Sequence, residues 1–321
     1  MSLAGKLYSG LRKVFLGPTD LPQACDVALH YPQTEIEVWL HGMGEPRDVT
    51  LRHSPACTAP YMFCIGFERE EQLERYADSP LSLRFCERAG RRRLLGEIGL
   101  QLSDILPTAG PQLCLFQAIT CTNFCTSLPR LWAHDLNNAF LQWRSKKATS
   151  LKMSLLDCRC NAVTFICPRP VLLVSLVDGE RGNIFPMNLM GLVGEDYLAF
   201  ALNSKRQAAP LVEQLGQLAL SSIPFVRSAA ARNLGKNHYQ QSADWEALPF
   251  KTVNSRALNI PVPEFALRVR ELKIHTVRPL GSHTFFVARL VGEEVYTDGP
   301  ELCMIHGLYE ARRRSDRLSI R

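Results

Sequence analysis

Several features that would point to a function at once are missing from this 321-residue sequence. No G-x-G-x-x-G follows a predicted strand and no G-x-x-x-x-G-K-[ST] occurs, which argues against a Rossmann domain and the common triphosphate loop. No run reaches the roughly 20 apolar residues that a membrane-spanning helix needs. Lys6, Arg12 and Lys13 interrupt the start, so it has no apolar core of signal-peptide length. We therefore expect a cytoplasmic protein with no membrane span.

The sequence also has little excess of charge of one sign. Its net charge of +6 comes from 37 basic and 31 acidic residues. About half of that excess lies in the last segment, 310–321, which has five Arg and two acidic residues. A basic end of this kind is usually a solvated face and not a phosphate-binding stripe. We expect no nucleic-acid partner.

Cysteines are frequent, but their spacing does not indicate a metal site. Eleven are scattered along the chain, an odd number without a secretory signal, which is typical of reduced thiols. Cys121 with Cys125 and Cys158 with Cys160 are close pairs. Neither has a second Cys or His pair at zinc-site spacing. The sequence therefore predicts buried thiols and no metal.

The residues that are present divide into two strand-rich parts near residue 150. Segments rich in β-branched and aromatic residues, separated by turn residues, predict strands in the first part. These strands are predicted at 35–41, 48–53, 61–67, 81–87 and 93–102. A helix follows at 133–147, with Leu136, Phe140 and Trp143 on one face. The stretch KKATSLK then separates a domain at 1–150 from one at 151–321.

The second part predicts further strands with helices inserted between them. The predicted strands are 161–166, 170–177, 196–202, 265–275, 283–291 and 293–297. Helical spacing predicts one helix at 206–220 and another within 225–236. Because strands and helices do not alternate regularly, the order favours a mainly antiparallel small barrel over a doubly wound sheet.

Two stretches carry a resemblance to a known family. PRPVLLVSLVDGERGNIFPMNLMGLVGEDYLAFALNSKRQ and GSHTFFVARLVGEEVY resemble, in this order and separation, the flavin reductase-like FMN-binding split-barrel family. The resemblance covers roughly residues 160–310. It implies a mainly β fold with inserted helices, a split β-barrel that binds FMN, with FAD as an alternative cofactor.

The same resemblance implies which residues contact the cofactor. A flavin needs an apolar wall for its ring system, polar groups at the ring edge, and cations or amides for its phosphate. Asn183 and Pro186 would shape the loop that enters the site. Met187, Asn188 and Leu189 would run beside the ring, and Asn203, Ser204, Lys205 and Arg206 would bind the phosphate.

His283 is the residue that the resemblance places beside the nicotinamide of an NAD(P)H co-substrate. Hydride moves directly between the two rings, so this histidine would orient them and not transfer a proton. We expect an NAD(P)H-dependent flavin reductase that passes electrons to free flavin, a partner oxygenase or another acceptor. Many relatives continue with Lys-Asp-Thr where QAAP stands here. This departure favours the alternative of a flavin-binding regulatory or scaffold protein without turnover; a third reading is a barrel that has lost its ligand.

The N-terminal part has an outline similar to the second. RDVTLRHSPACTAPYMFCIGFEREEQL and RGNIFPMNLMGLVGEDYLAFALNSKRQ each place a basic turn and a polar stretch before a strand that ends in charged residues. One interpretation is a degenerate second barrel. One chain would then hold the pair of barrels that a homodimer usually provides, because a split barrel leaves an apolar face open. Without such a second barrel we expect a homodimer.

Overall fold

The computed structural model of the chain describes residues 23–31, 35–68, 73–76, 79–106, 108, 110–144, 151–179 and 181–319. Within these ranges the protein is mainly β with helices inserted between strands, as the sequence predicts. The segment that contains Lys6, Arg12 and Lys13 lies outside the described residues, as do residues 145–150 at the predicted domain boundary.

The first large sheet is antiparallel and belongs to the N-terminal half. Strand β1 (Ala24–Leu29) precedes it. The sheet itself consists of β2 (Ile36–His41), β3 (Arg47–Asp48), β4 (His53–Thr58), β5 (Tyr61–Phe67), β6 (Leu81–Glu87), β7 (Leu94–Leu106) and β8 (Gln112–Asn123). Helices α1 (Leu128–Arg144) and α2 (Leu155–Thr164) follow it in the chain.

The second large sheet is also antiparallel and belongs to the C-terminal half. After the short β9 (Arg169–Pro170), it consists of β10 (Leu172–Asp178), β11 (Arg181–Met187), β12 (Met190–Leu192), β13 (Tyr197–Asn203), β14 (Gln217–Ser222), β17 (Arg268–Leu280) and β18 (His283–Val295). The inserted elements are α3 (Ala208–Leu215), α4 (Ser228–Asn233), the 3-10 segment Leu234–Tyr239, and a hairpin of β15 (Thr252–Asn254) and β16 (Pro261–Pro263). Strand β19 (Glu301–His306) and helix α5 (Gly307–Ser319) complete the described chain.

Both sheets have the same strand order. The first runs β3-β2-β6-β7-β8-β5-β4 and the second runs β11-β10-β14-β17-β18-β13-β12. When the seven strands of each sheet are numbered along the chain, both orders read 2-1-5-6-7-4-3. The N-terminal half therefore has the same strand order as the C-terminal half. It is a barrel-like domain, as the similar outline of the two sequence segments suggests.

Burial shows how the two sheets face each other. Strand β2 alternates buried and half-buried residues, as expected of a sheet with one solvated face. Every residue of β4, β5 and β13 is buried, so both faces of these strands are covered. A core that lies between the halves contains residues of both, including Cys57, Met62, Leu115, Ala199 and Phe285. Each half also has its own core.

The segment that follows the predicted domain boundary packs on the N-terminal sheet. Helix α2 contacts β5, β7 and β8, and its residues Cys160 and Val163 are part of the N-terminal core. The Asp157 carboxylate accepts a hydrogen bond from the backbone N–H of Tyr61 at 2.8 Å. Strand β19 pairs with both β1 and β9, so a three-stranded sheet connects strand β1 of the N-terminal half with the C-terminal half. The division into domains at residue 150 stays a prediction.

Three of the predicted elements differ from the structure, each for a local reason. Residues 161–166 are not a strand, because Ser154 and Asp157 form a capping box that starts helix α2. The helix predicted at 206–220 ends at Leu215, where Gly216 adopts φ 65° and closes the last turn before strand β14. Residues 49–52 form a turn instead of the strand predicted at 48–53, because the Asp48 carboxylate accepts from Thr50.

The end of the predicted strand series also differs. Residues 293–297 are not a separate strand, because β18 continues to Val295 beside β17. The last strand is β19, and it is not predicted from the sequence. The predicted limits of the strands at 61–67 and 81–87 are those of β5 and β6.

The close packing of the two halves predicts a strict requirement for glycine at position 66. A Cβ on Gly66 would overlap the carbonyl group of Val193, which belongs to the other half. We expect Gly66→Ala to lower the free energy of unfolding by about 2 kcal/mol or more, as measured by urea denaturation. The control is Gly235→Ala, where the added methyl group meets no atom within 4 Å. Equal stabilities of the two variants would contradict this account of the contact between the two halves, which we call the seam.

Candidate functional site

A groove of about 340 Å³ lies at the seam between the two halves. We call it the Arg206 groove. Its C-terminal wall comes from the end of β11, the residues after it, and the corner that follows β13. Thr58, at the end of β4, is the contribution of the N-terminal sheet, and helix α2 adds Asn161. The groove therefore needs both halves.

One part of the groove is apolar. The side chains concerned are Leu151, Met153, Phe165, Met187, Leu189 and Met304. Thioethers and branched chains of this kind form an adaptable wall for a flat ring system. Asn188 lies among them, and its Nδ2 is 3.7 Å from the sulfur of Met304.

The polar part of the groove contains two polar atoms without partners. Thr58 Oγ1 and Arg206 Nε are both buried, and neither has a hydrogen-bond partner in the structure. The Arg206 guanidinium lies over the ring of Tyr239, 5.0 Å from its centroid. Buried polar groups are normally paired, so these two atoms leave unused hydrogen-bonding capacity beside the groove.

Two histidines also line the groove, and both are neutral near pH 7. Burial, and then the Arg206 charge, lower the pKa of His283 to about 4. Burial is also the main cause that lowers the pKa of His238 to about 4, and Arg206 adds to it. The His238 Nε2–H donates to Pro186 O at 2.7 Å. Ser282 Oγ lies 2.9 Å from His283 Nδ1, so a hydroxyl that donates there leaves Nε2–H of His283 as a donor.

Seven of the ten residues that the sequence assigns to the site line the groove. They are Pro186, Met187, Asn188, Leu189, Asn203, Arg206 and His283. Strands β11, β13 and β18 bring them together, because β13 pairs with β18 so that Asn203 is opposite His283. Their contacts with a cofactor stay a prediction.

Asn183 lies elsewhere and supports the groove from behind. It is fully buried in β11, and its Nδ2 donates to Asn237 O at 3.0 Å and to Gln240 O at 2.8 Å. These bonds hold the segment that carries His238. Pro186 is also part of β11, opposite Leu173 of β10, so the loop predicted around Asn183 and Pro186 is a strand.

Ser204 and Lys205 form the outer side of the corner after β13. Both are exposed, and neither is among the residues that line the groove. The Lys205 backbone N–H donates to Asn203 Oδ1 at 2.9 Å. This bond fixes the Asn203 side chain and leaves its amide nitrogen for another partner.

The sequence interpretation missed several lining residues. Thr58, Asn161, His238 and Met304 come from four separate segments of the chain. None of them lies in a motif of the resemblance that points to a ligand. The pair His238 and Tyr239, an aromatic neighbour beside a histidine, is the only local signal among them.

The groove continues into an adjoining cavity of about 200 Å³. The two share Pro186, Met187, Asn188 and Met304. The far end of the second cavity has the ion pair of Arg232 and Asp26, at 2.9 Å. A ligand longer than the first groove could therefore extend toward β1.

The described ranges also bear on a metal site and on a membrane-spanning helix. No group of three or more His, Cys, Asp or Glu side chains there is arranged to hold a metal ion. No helix in those ranges is both long enough and apolar enough to cross a bilayer.

The part of the chain that builds most of the groove matches a family model, the flavin reductase like domain, over residues 165–314. These residues form a flavin reductase-like domain. The match begins at Phe165 and includes β10 to β19. The N-terminal sheet lies outside it. The flavin reductase-like domain thus supplies Asn188, Asn203, Arg206 and His283, and the N-terminal half supplies Thr58.

Solved structures similar to this chain include an FMN-binding protein from Thermus thermophilus with bound 1-cyclohex-2-enone. It is 23% identical, with 40% of this chain and 71% of that chain covered and a TM-score of 0.36. The NADH:FAD oxidoreductase of Streptomyces globisporus C-1027 is 16% identical, with 46% and 88% covered and a TM-score of 0.41. The styrene monooxygenase flavin reductase of Pseudomonas putida S12 is 13% identical, with 46% and 92% covered and a TM-score of 0.37. No curated protein sequence matches the chain.

The two groove histidines predict a loss of stability in acid. Their folded-state pKa values of about 4 lie below the ordinary 6.5, so between these values the unfolded chain binds more protons. The stabilisation is present above pH 6.5 and is lost as pH falls toward 4. We expect each histidine to contribute about 1–2 kcal/mol to the loss between pH 7.5 and 5.

Urea denaturation at a series of pH values measures this effect. The double variant His238→Gln/His283→Gln should have a shallower decline than the wild-type chain. Other buried histidines, such as His53 and His306 with pKa values lowered to about 3, keep part of the decline in both proteins. Identical slopes for the two proteins would show that the groove histidines are not neutral in the folded state.

Proposed function

We propose that the protein is an NAD(P)H-dependent flavin reductase that holds FMN in the Arg206 groove. The observation that carries the proposal is the pair of unpartnered buried atoms, Thr58 Oγ1 and Arg206 Nε, beside an apolar wall in one groove. That combination suits a ligand with a flat apolar ring and an anionic group. The flavin reductase-like domain supports the choice of a flavin.

The phosphate of the ligand would bind at the Arg206 corner. Arg206 Nε is a charged donor without a partner, and the Asn203 side chain, which offers a neutral donor, lines the same groove. Charge-assisted bonds from guanidinium to phosphate are about twice as strong as neutral ones. The ring of Tyr239 holds the guanidinium in place. Ser204 and Lys205, which are exposed, would add charge at longer range.

The ring system would lie along Met187, Asn188 and Leu189. These residues cover one side, and Phe165 and Met304 contribute further apolar contacts. Asn188 can offer an amide to the polar edge of the ring. Burial of the ring excludes water from the place where hydride is transferred.

His283 would act as a positioning group beside the rings. A bound flavin supplies a hydride-accepting ring, and reduced nicotinamide is the co-substrate that delivers the hydride. The neutral imidazole can donate one hydrogen bond through Nε2 without adding charge to the groove. Its Nδ1 contact with Ser282 fixes the ring orientation.

The reduced flavin would pass its electrons to free flavin or to a partner oxygenase. A similar structure is named as the flavin reductase component of a bacterial two-component tryptophan halogenase, and another as a styrene monooxygenase flavin reductase. The adjoining cavity beyond Met304 leaves room for a longer ligand, so FAD is the alternative cofactor.

One observation favours a second candidate, a flavin-binding protein without turnover. Ala208 and Ala209 are fully buried at the start of α3, in the QAAP stretch where many relatives have Lys-Asp-Thr. These positions supply no polar side chain to a phosphate. The flavin phosphate would then be bound by Arg206 and Asn203 alone. The groove would hold a flavin without supporting turnover.

The test combines FMN binding with NADH and NADPH oxidation. We expect the full chain to bind FMN, and steady-state nicotinamide oxidation to rise when FMN is added. Arg206→Ala should weaken FMN binding about tenfold or more, because it removes a charged hydrogen bond. Arg256→Ala is the control, since Arg256 is exposed near the β15–β16 hairpin and does not line the groove.

The outcomes separate the candidates. FMN binding without nicotinamide oxidation would favour the protein without turnover. No FMN binding at all, or equal binding by Arg206→Ala and Arg256→Ala, would reject the Arg206 groove as a flavin site.

A further inference from the structure

The contacts across the seam come in exchanged pairs. The shared strand order matches β4 with β12, β5 with β13, β7 with β17 and β8 with β18. At one end of the seam, the turn between β17 and β18 meets the turn between β4 and β5, where Ser282 N–H donates to Ala59 O at 2.9 Å. At the other end, Gly110 and Pro111, just before β8, lie against Tyr197 and Gly194. Exchange of the two halves turns one contact into the other.

The same exchange maps the Arg206 groove onto a second groove. The corner after β13 becomes the corner after β5, which begins with Glu68. The loop that follows β11 becomes the loop that follows β3, which contains Arg52. The end of β4 becomes the segment after β12, and the start of β18 becomes the start of β8. A cavity of about 360 Å³ lies there, lined by Arg52, Glu68, Pro111, Glu195, Asp196 and Tyr197 together with two glycines. We call it the Glu68 groove.

The two grooves have similar volumes and opposite charge. Among the described residues that line the Arg206 groove there are one arginine and no carboxylate. In the Glu68 groove, the described lining residues include Glu68, Glu195 and Asp196. Arg52, the arginine among these described residues, forms an ion pair with Glu68 at 2.5 Å. The remaining carboxylates would repel the phosphate of a flavin, which carries between one and two negative charges.

The apolar part also differs. The wall of Leu151, Met153, Phe165, Met187, Leu189 and Met304 belongs to the Arg206 groove. Among the described residues that line the Glu68 groove, Tyr197 is the one large ring, and it packs against Gly110 and near His275. A flat ring system would therefore find an apolar wall in one groove and glycines and carboxylates in the other.

We infer that this chain binds one flavin and not two, although its fold repeats the groove. The inference rests on the proposed function of the Arg206 groove. The Glu68 groove is still large enough for a ligand, so we assign the loss of the second flavin site to its carboxylates and to the lack of an apolar wall among its described lining residues. Each chain would then be an asymmetric pair of barrels, in which the N-terminal half completes one site without forming its own.

The stoichiometry of FMN binding to the full chain tests this. Equilibrium dialysis against increasing FMN, at a protein concentration well above the dissociation constant, measures flavin bound per chain. We expect a plateau at one. Arg206→Glu should remove this binding at the same FMN concentrations, because it reverses the charge at the phosphate corner. Arg52→Glu is the matched control, since it makes the same charge change in the Glu68 groove and should leave the plateau and the affinity unchanged.

Each other outcome contradicts a defined part of the argument. A plateau at two, reduced to one by either variant, would overturn the inference and leave the proposed function standing. No FMN binding by the wild-type chain would overturn both. A plateau at one that Arg52→Glu abolishes and Arg206→Glu preserves would mean that the flavin occupies the other groove, which rejects the charge argument.

Discussion

The close approach of two backbones at the seam is the constraint on which the rest of this structure depends. Gly66 of β5 lies against the Val193 carbonyl, and Gly191 of β12 lies against the His53 carbonyl, with no room for a Cβ at either position. Because the backbones approach so closely, each sheet covers part of the other, and β4, β5 and β13 are buried on both faces. The large apolar area removed from water stabilises the pair of halves as one body.

The same seam holds a buried charge that restricts its chemistry. Arg169 of β9 is fully buried, and its Nη2 donates to His53 Nε2 at 2.6 Å. The His53 Nδ1–H in turn donates to Val49 O at 2.7 Å, which fixes the tautomer. Burial, and then the Arg169 charge, lower the pKa of His53 to about 3. A protonated His53 would place two cations side by side in a dry environment, so contact between the halves depends on a neutral imidazole.

The site is a product of this packing and not of one domain. The flavin reductase-like domain carries the cation, the amides and most of the apolar wall, and Thr58 reaches the groove from the end of β4. Repetition of the sheet order gives each end of the seam a groove of similar size. Because the described residues at the two corners differ in charge, an anionic ligand would be favoured at the Arg206 groove and disfavoured at the Glu68 groove. The fold provides the space, and individual side chains decide its use.

Local patterns in the sequence determined several strands in both halves. Alternation and turn residues placed β5, β6 and β13 within a residue or two, and the family resemblance selected Asn188, Asn203, Arg206 and His283, which the structure brings to one groove. The strand predictions agree with the structure because strand period depends on neighbours in the chain. The role of the four groove residues stays a prediction. They failed at Ser154 and Gly216, where a cap decided between helix and strand.

Only the tertiary structure decided which distant residues complete the groove. Thr58, His238 and Met304 are separated by up to 246 positions, and they meet through strand pairing and packing across the seam. Asn183 has a motif position typical of a ligand contact, but burial directs its amide to the backbone of Asn237 and Gln240. The similar outline of two segments suggested a second barrel, but only the structure shows that the two sheets have the same strand order. Hydrogen bonds between backbones set strand order and tolerate very different side chains. The sequence shows the charged residues after β5 and after β13. Only the fold shows that these two positions correspond to each other in the two halves.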